Sequence, residues 1–272
     1  MEEEIIVTLT TWEPRINNLP IVLDSIYNQS ITPNKVIINF SNNEFIPPKI
    51  EEYINKHKIE VNYVEDTKVY KKLIPTLKKY PNACIINIDD DCIYPDYMIE
   101  DYINIHKKYP NNPISGNREV KFGMQCHCGN SSLTKAEYFG DWLKYIDKEV
   151  IKNCASDDIV MTYFANKNNR PYLRTSNLYF TNIISTDLTV QPYSKEHADG
   201  IELSMKYLTK RFGKVDTNIN NYINNNTITN IINDIIKNKI NDEQEIIYKN
   251  FSFKLGKFIT APFRWIKKII TK

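Results

Sequence analysis

The amino-acid sequence predicts an α/β fold with a mostly parallel central sheet covered by helices on both faces. Two patterns and one size argument carry that expectation. Short β-branched or apolar runs at residues 5–9, 35–40, 60–64 and 83–88 recur every 20 to 30 residues, with the length and composition of buried strands. Between them, residues 19–29, 48–57 and 69–80 space their apolar side chains at helical intervals, each with a proline near one end. A chain of 272 residues with 42% hydrophobic content can bury one full core.

Taken in order, the opening run Ile5-Ile6-Val7-Thr8-Leu9 reads as the first strand, and the next three strands each follow a helix. Strand–helix–strand units cross over right-handedly into a parallel sheet, whose ligands sit outside the carboxyl ends of the strands. Residues 8–12, Asp66 and Asp89 to Asp91 all fall at that rim. Further on, residues 97–109 read as a helix and 114–122 as strand and turn. Residues 135–145 and 157–166 read as helices, and 172–186 as strands. Residues 216–241 are dominated by Asn, Ile and Thr, the composition of a weak helix pair or a loose linker. The expected organisation is a main domain over 1–215, a helical or linker segment over 216–249, and a tail over 250–272.

Composition excludes several function classes. A net charge of +2 provides no global field for nucleic acid. The cysteines at 84, 92, 126, 128 and 154 are odd in number and unpaired in spacing, as in a reducing compartment. Cys126-His127-Cys128 lacks the second ligand pair of a zinc site. The N-terminus has neither the basic region nor the apolar core of a signal peptide, and no stretch reaches the about 18 apolar residues of a membrane span. A cytoplasmic protein is expected. No two of the seven glycines stand two or five residues apart, so neither GxGxxG nor a Walker A loop exists. A bound nucleotide would need its phosphates held by metal and side chains.

Asp89-Asp90-Asp91, directly after an apolar strand, offers that alternative. Adjacent acids repel unless solvated or sharing a cation, and hard ions such as Mg²⁺ or Mn²⁺ take carboxylate together with phosphate oxygens. On strand alternation Asp89 and Asp91 share a face and Asp90 points away. The bland alternative is an acidic loop at a strand end.

The segment from Ile5 through Thr8, Thr10, Trp12 and Arg15 to Ile16, then Tyr70-Lys71-Lys72-Leu73-Ile74-Pro75, Asp89-Asp90-Asp91-Cys92-Ile93-Tyr94-Pro95 and Ala155-Ser156-Asp157-Asp158-Ile159-Val160 together resemble a bacterial GT-A fold glycosyltransferase of family 2, over roughly residues 4 to 190. That resemblance implies a nucleotide-sugar donor, a UDP-sugar favoured, with Thr8, Thr10, Arg15 and Asp66 near the base or ribose and Lys72 or Lys71 as a phosphate contact. It implies a DxD motif in which Asp89 and Asp90 approach the donor while Asp91 and Asp89 hold Mn²⁺ or Mg²⁺. His197 would be a third metal ligand, as a late histidine is in some GT-A enzymes. It also implies an acidic pair about 66 residues after the DxD motif, with Asp158 as base and Asp157 orienting the acceptor. Without any function, Ser156 as N-cap and acids in the first turn are what a helix start favours. Phe122-Gly123-Met124-Gln125-Cys126-His127-Cys128-Gly129 departs from the family's glycine-rich acceptor loop. His57 and His106 fall on expected surface helices and are expected to be solvated.

From Phe251 to Lys272 aromatic and aliphatic residues interleave with Lys254, Lys257, Arg264, Lys267, Lys268 and Lys272, without an acid after Glu245. Such a segment lies in the headgroup plane of an anionic membrane, here the inner leaflet, or packs as a terminal helix broken at Pro262. The expected activity is metal-dependent, inverting sugar transfer to a cell-surface glycan or lipid-linked acceptor. The alternatives are a sugar-phosphate nucleotidyltransferase on a related fold and a non-catalytic, membrane-peripheral scaffold.

Overall fold

The computed structural model describes residues 3–116, 120–127, 130–175, 181–183 and 195–215. The segments expected over 216–249 and 250–272 lie outside the described residues.

The strands are β1 (Ile5–Leu9), β2 (Lys35–Ser41), β3 (Glu60–Val64), β4 (Cys84–Ile88), β5 (Cys92–Ile93), β6 (Ile114–Ser115), β7 (Val120–Lys121), β8 (Met124–Gln125), β9 (Ser131–Thr134), β10 (Leu173–Arg174) and β11 (Thr181–Asn182). The α-helices are α1 (Leu19–Tyr27), α2 (Pro48–His57), α3 (Ile74–Lys79), α4 (Met98–Lys108), α5 (Lys148–Asn153), α6 (Asp157–Lys167) and α7 (Lys195–Phe212). A seven-stranded sheet runs β10-β6-β9-β4-β1-β2-β3. The pairings among β4, β1, β2 and β3 are parallel, and β9 runs antiparallel to both β4 and β6. The fold is therefore α/β with a mostly parallel central sheet.

Alternation along the inner strands builds two cores. Val7, Leu9, Ile38, Phe40, Ile86 and Ile88 pack under α1, α2 and α4. Their neighbours Ile6, Ile37 and Ile85 pack on the other face against α3, α5, α6 and α7. A strand whose two faces are both covered loses the polar alternation of a half-exposed one, which is why these runs read as continuously apolar.

Two expected elements differ, and one strand was not expected. Residues 69–80 form a 3₁₀ turn (Lys68–Lys72) followed by α3, because Pro75 has no N–H for a preceding helical turn and belongs in a first turn. Residues 135–145 form two 3₁₀ segments, separated where Gly140 adopts φ +52°. Strand β9, absent from the sequence reading, is polar: Ser131, Ser132 and Thr134 are all buried, with Ser132 donating to Asn87 at 2.5 Å and Ser131 paired with Tyr102 at 2.9 Å. Helix α6, by contrast, is buried on nearly every side, as fits a helix running through the interior.

Two histidine expectations are corrected. His106 is 4% exposed and lies 2.6 Å from Glu3 and 3.1 Å from the Tyr138 hydroxyl. His57 stacks on Tyr53 and Tyr27, with ring centroids at 4.3 and 4.7 Å. Glu3, Tyr138 and Tyr27 come from distant segments, while Tyr53 lies one helical turn before the half-buried His57. Among the described residues no helix is long and apolar enough to cross a membrane.

Candidate active site

A cleft of about 610 Å³ opens at the carboxyl ends of β1 to β4, walled by Thr10, Trp12, Arg15, Ser41, Glu44, Asp66, Val69, Lys71, Lys72, Asp89 and Asp90 among others. The loops leaving four parallel strands converge there, so residues distant in sequence share one surface.

Thr8 does not reach the cleft. Its side chain is fully buried, and its hydroxyl donates to the Lys72 carbonyl at 2.9 Å and pairs with Thr76 at 2.8 Å. Asn39 donates to both threonine hydroxyls at 3.0 Å and accepts from Asn62 at 2.8 Å. Thr8 thus joins β1 to β2 and α3 and has no free surface for a base, a correction to the sequence expectation. Thr10 does line the cleft, its hydroxyl donating to the Asn39 carbonyl at 2.7 Å. Asp66, 64% exposed, accepts from the Lys68 backbone and holds Lys71, both at 3.0 Å. Trp12, half-exposed, and Val69 add apolar surface that the sequence reading did not assign to a ligand.

The aspartate triplet is organised by cations rather than by strand alternation, since β4 ends at Ile88 and the chain turns at Asp90 and Asp91. Arg15 bridges Asp90 at 3.1 Å and Asp91 at 2.9 Å. Thr11 donates to the other oxygen of Asp90 at 2.7 Å, so Asp90 is a buried strut of the loop. Asp89 turns toward Lys72 at 3.3 Å, while its backbone N–H donates to the Tyr94 hydroxyl at 2.9 Å. Carboxylate oxygens of Asp89 and Asp91 lie within 4.8 Å of each other, close enough for one hard cation to take an oxygen from each. These donors fit Mn²⁺ or Mg²⁺. Neighbouring Cys92 is buried and its thiol is pushed well above the ordinary range, which leaves the carboxylates as the ligands. His197 falls on α7, but its side chain lies outside the described residues.

Asp157 and Asp158 open α6 behind the same rim. Ser156 takes the N-cap position without a side-chain cap bond. Lys72, buried, joins the two acidic groups, with Nζ 3.3 Å from Asp89 and 3.1 Å from Asp157. The Asp157 contact is an ion pair without hydrogen-bond alignment. Burial raises the Asp89 carboxyl to about 7 against the pull of Lys72, with the neighbouring aspartates adding to it. Burial and then the Asp157 charge push Asp158 well above the ordinary carboxylate range. Its side chain keeps 30% exposure, but Oδ1 is buried without a hydrogen-bond partner. A carboxyl of raised pKa with one open side is suited to general-base work.

Removing Lys72 tests this arrangement. Lys72→Met should cost about 3–5 kcal/mol at pH 8, where it strands buried carboxylates without their cation. The cost should shrink toward pH 5, because acids of raised pKa take up protons there and need less compensation. Urea midpoints at the two pH values measure both quantities, and a cost independent of pH would contradict the assigned charges.

No family model and no curated protein sequence matches the chain. Among solved structures it is similar to S. aureus TarS, with TM-score 0.50 and 16% identity, over 79% of this chain and 44% of that one. The chain therefore spans less than half of that TarS structure. A TarS fragment, 1–349, in complex with UDP aligns at TM-score 0.49 and 14% identity over 79% of this chain and 74% of the fragment. A 4-diphosphocytidyl-2C-methyl-D-erythritol synthase aligns at 0.47 and 11% over 68% and 94%. With its seven-stranded, mostly parallel sheet and that likeness to TarS, the chain has a GT-A-like fold.

Proposed function

We propose that this protein is a metal-dependent, inverting glycosyltransferase that moves a sugar from a nucleotide-sugar, a UDP-sugar first among candidates, to a glycan or lipid-linked acceptor. The observation that carries the reading is the span between two acidic groups joined by one buried lysine: Asp89 and Asp91 on the nucleotide side, and Asp157 with its neighbour Asp158 on the other. The donor diphosphate lies against the first group, beside Arg15, Lys71 and Lys72, while Trp12 and Val69 give the nucleoside an apolar wall. Mn²⁺ or Mg²⁺ held by Asp89 and Asp91 would supply Lewis-acid stabilisation of the departing diphosphate. Asp158 accepts the proton of the acceptor hydroxyl as that oxygen attacks the anomeric carbon. Product analysis tests the reading: UDP-sugars with Mn²⁺ and a glycan acceptor should yield UDP and a glycosylated product. Release of pyrophosphate from a nucleoside triphosphate and a sugar phosphate would establish nucleotidyl transfer instead, and binding without any turnover would leave only the scaffold.

The basic, aromatic stretch over 250–272 supports a cytoplasmic enzyme held peripherally at the inner leaflet. Full-length protein should sediment with anionic vesicles at low salt and be released by high salt, because screening weakens attraction between the tail and the headgroups. Truncation after residue 249 should abolish sedimentation while preserving donor affinity. Vesicles that fail to recruit the full-length chain at low salt would refute the attachment.

A further inference from the structure

The helix that begins with Asp157 and Asp158 faces a histidine that the nucleotide site leaves unused. His127 is buried, its backbone N–H donating to Thr162 at 2.7 Å and its ring edge-on to Tyr172 at 5.2 Å. Its Nδ1 lies 2.9 Å from Ser132 Oγ. Ser132 gives its own proton to Asn87 Oδ1 at 2.5 Å, so the serine oxygen accepts from Nδ1–H, and the neutral ring keeps a bare lone pair on Nε2. That nitrogen is buried without a hydrogen-bond partner and faces Asp158 Oδ1, likewise buried and unpartnered, at 3.9 Å.

We propose that His127 is the positioning residue of the base: its Nε2 accepts a hydrogen bond from Asp158 once that carboxylate has taken the acceptor's proton. The inference rests on the reading of Asp158 as base. In the transfer step the acceptor O–H bond breaks and its proton passes to Asp158. The acceptor oxygen bonds to the anomeric carbon, and the bond from that carbon to the diphosphate breaks, its electron pair leaving with the nucleoside diphosphate. A small side-chain rotation then brings the new O–H of Asp158 from 3.9 Å to hydrogen-bond distance of Nε2, about 2.7–3.0 Å. The lone pair offers nothing to the anion and a partner to the acid, so His127 strengthens Asp158 as a proton acceptor. Burial holds the imidazole neutral, its pKa lowered to about 3, so the ring does not itself take the proton. Of the other groups acting on Asp158, Asp157 and Asp89 favour its acid form, while Lys72 and Lys121 favour the anion. The phenols of Tyr70 and Tyr172 are held neutral by burial.

His127→Phe keeps the ring's shape without the lone pair, and His127→Asn keeps reach to Ser132 but falls short of Asp158. In both variants the acid limb of kcat/KM should move to lower pH, by about one unit in His127→Phe, and kcat should fall at least about tenfold, with the donor KM unchanged. In an Asp158→Asn background neither substitution should lower the rate further, since the two groups act as a unit. Carbon-13 titration of the Asp158 carboxyl in the unliganded protein should show the same downward shift. That measurement needs no turnover, so it separates failure of this inference from failure of the glycosyltransferase reading. An Asp158 titration that is unchanged or raised in a folded His127 variant, or losses that add in the double variant, would overturn the proposal.

Discussion

Asp158→Asn should bind a nucleotide-sugar with wild-type affinity yet lose transfer by at least about 10²-fold, the usual worth of a positioned general base. The amide keeps the shape of the carboxyl, and Asp158 makes no ion pair to the nucleotide side of the site; that task belongs to Asp157, through Lys72 at 3.1 Å. Asp157→Asn should therefore weaken the Lys72 anchor and lower stability before it touches the proton transfer. Binding by calorimetry and initial rates at saturating donor separate the two. If Asp157→Asn produces the selective loss of kcat, the base is the neighbouring residue; if neither does, the inverting mechanism does not operate here.

The second large effect is expected at the metal ligands. Asp91→Ala should abolish Mn²⁺-dependent UDP binding and leave the fold nearly as stable as before. Asp91 is 30% exposed and its pair with Arg15 lies at the rim, where such contacts contribute about 0–1 kcal/mol. Asp90→Ala should behave oppositely. Asp90 is buried, and its removal takes the acceptor from Thr11 and one of the two carboxylates that Arg15 bridges, a loss of about 1–3 kcal/mol for a group left unsatisfied. Calorimetry with and without Mn²⁺, beside urea denaturation, reads both variants, and retention of metal-dependent UDP binding in Asp91→Ala would remove the DxD assignment.

The inner sheet was legible because β1, β2 and β4 are covered on both faces, and double burial leaves apolar runs of strand length. The rim followed from that, since strand ends and their loops are fixed once the strands are. Strand β9 was not legible: the hydroxyls of Ser132 and Ser131 are satisfied by Asn87 and Tyr102, partners that no local pattern announces. Helix α5 did carry an overlooked local signal, the N-cap Asp147 accepting from Glu149 and Val150. In the site, the family resemblance pointed to Asp89, Lys72 and Thr10, which the fold brings to one cleft, but not to which carboxylate faces which cation. Arg15 and Asp90 lie 75 positions apart, and Asp158 meets His127 only because β9 and α6 fold over the loop that holds it. Thr8 misled because a strand threonine near the rim looks the same whether its hydroxyl faces a ligand or the interior.

The network of Thr8, Asn39, Asn62 and Thr76 bears on which misfolded sheets the chain avoids. Apolar residues alone would let β1 slide along β2, since Ile, Val and Leu are nearly interchangeable as core filling. A slip of one residue would set Val7 or Leu9 where Thr8 now meets Asn39 and reverse every face of the strand. The Asn39 amide would then be sealed in the interior without its acceptors, at about 1–3 kcal/mol. Parallel strands that meet late in folding, after long crossovers, thus have a polar checkpoint that rejects near-miss alignments, and the loop carrying Thr10, Thr11 and Arg15 reaches the cleft only in the alignment that passes.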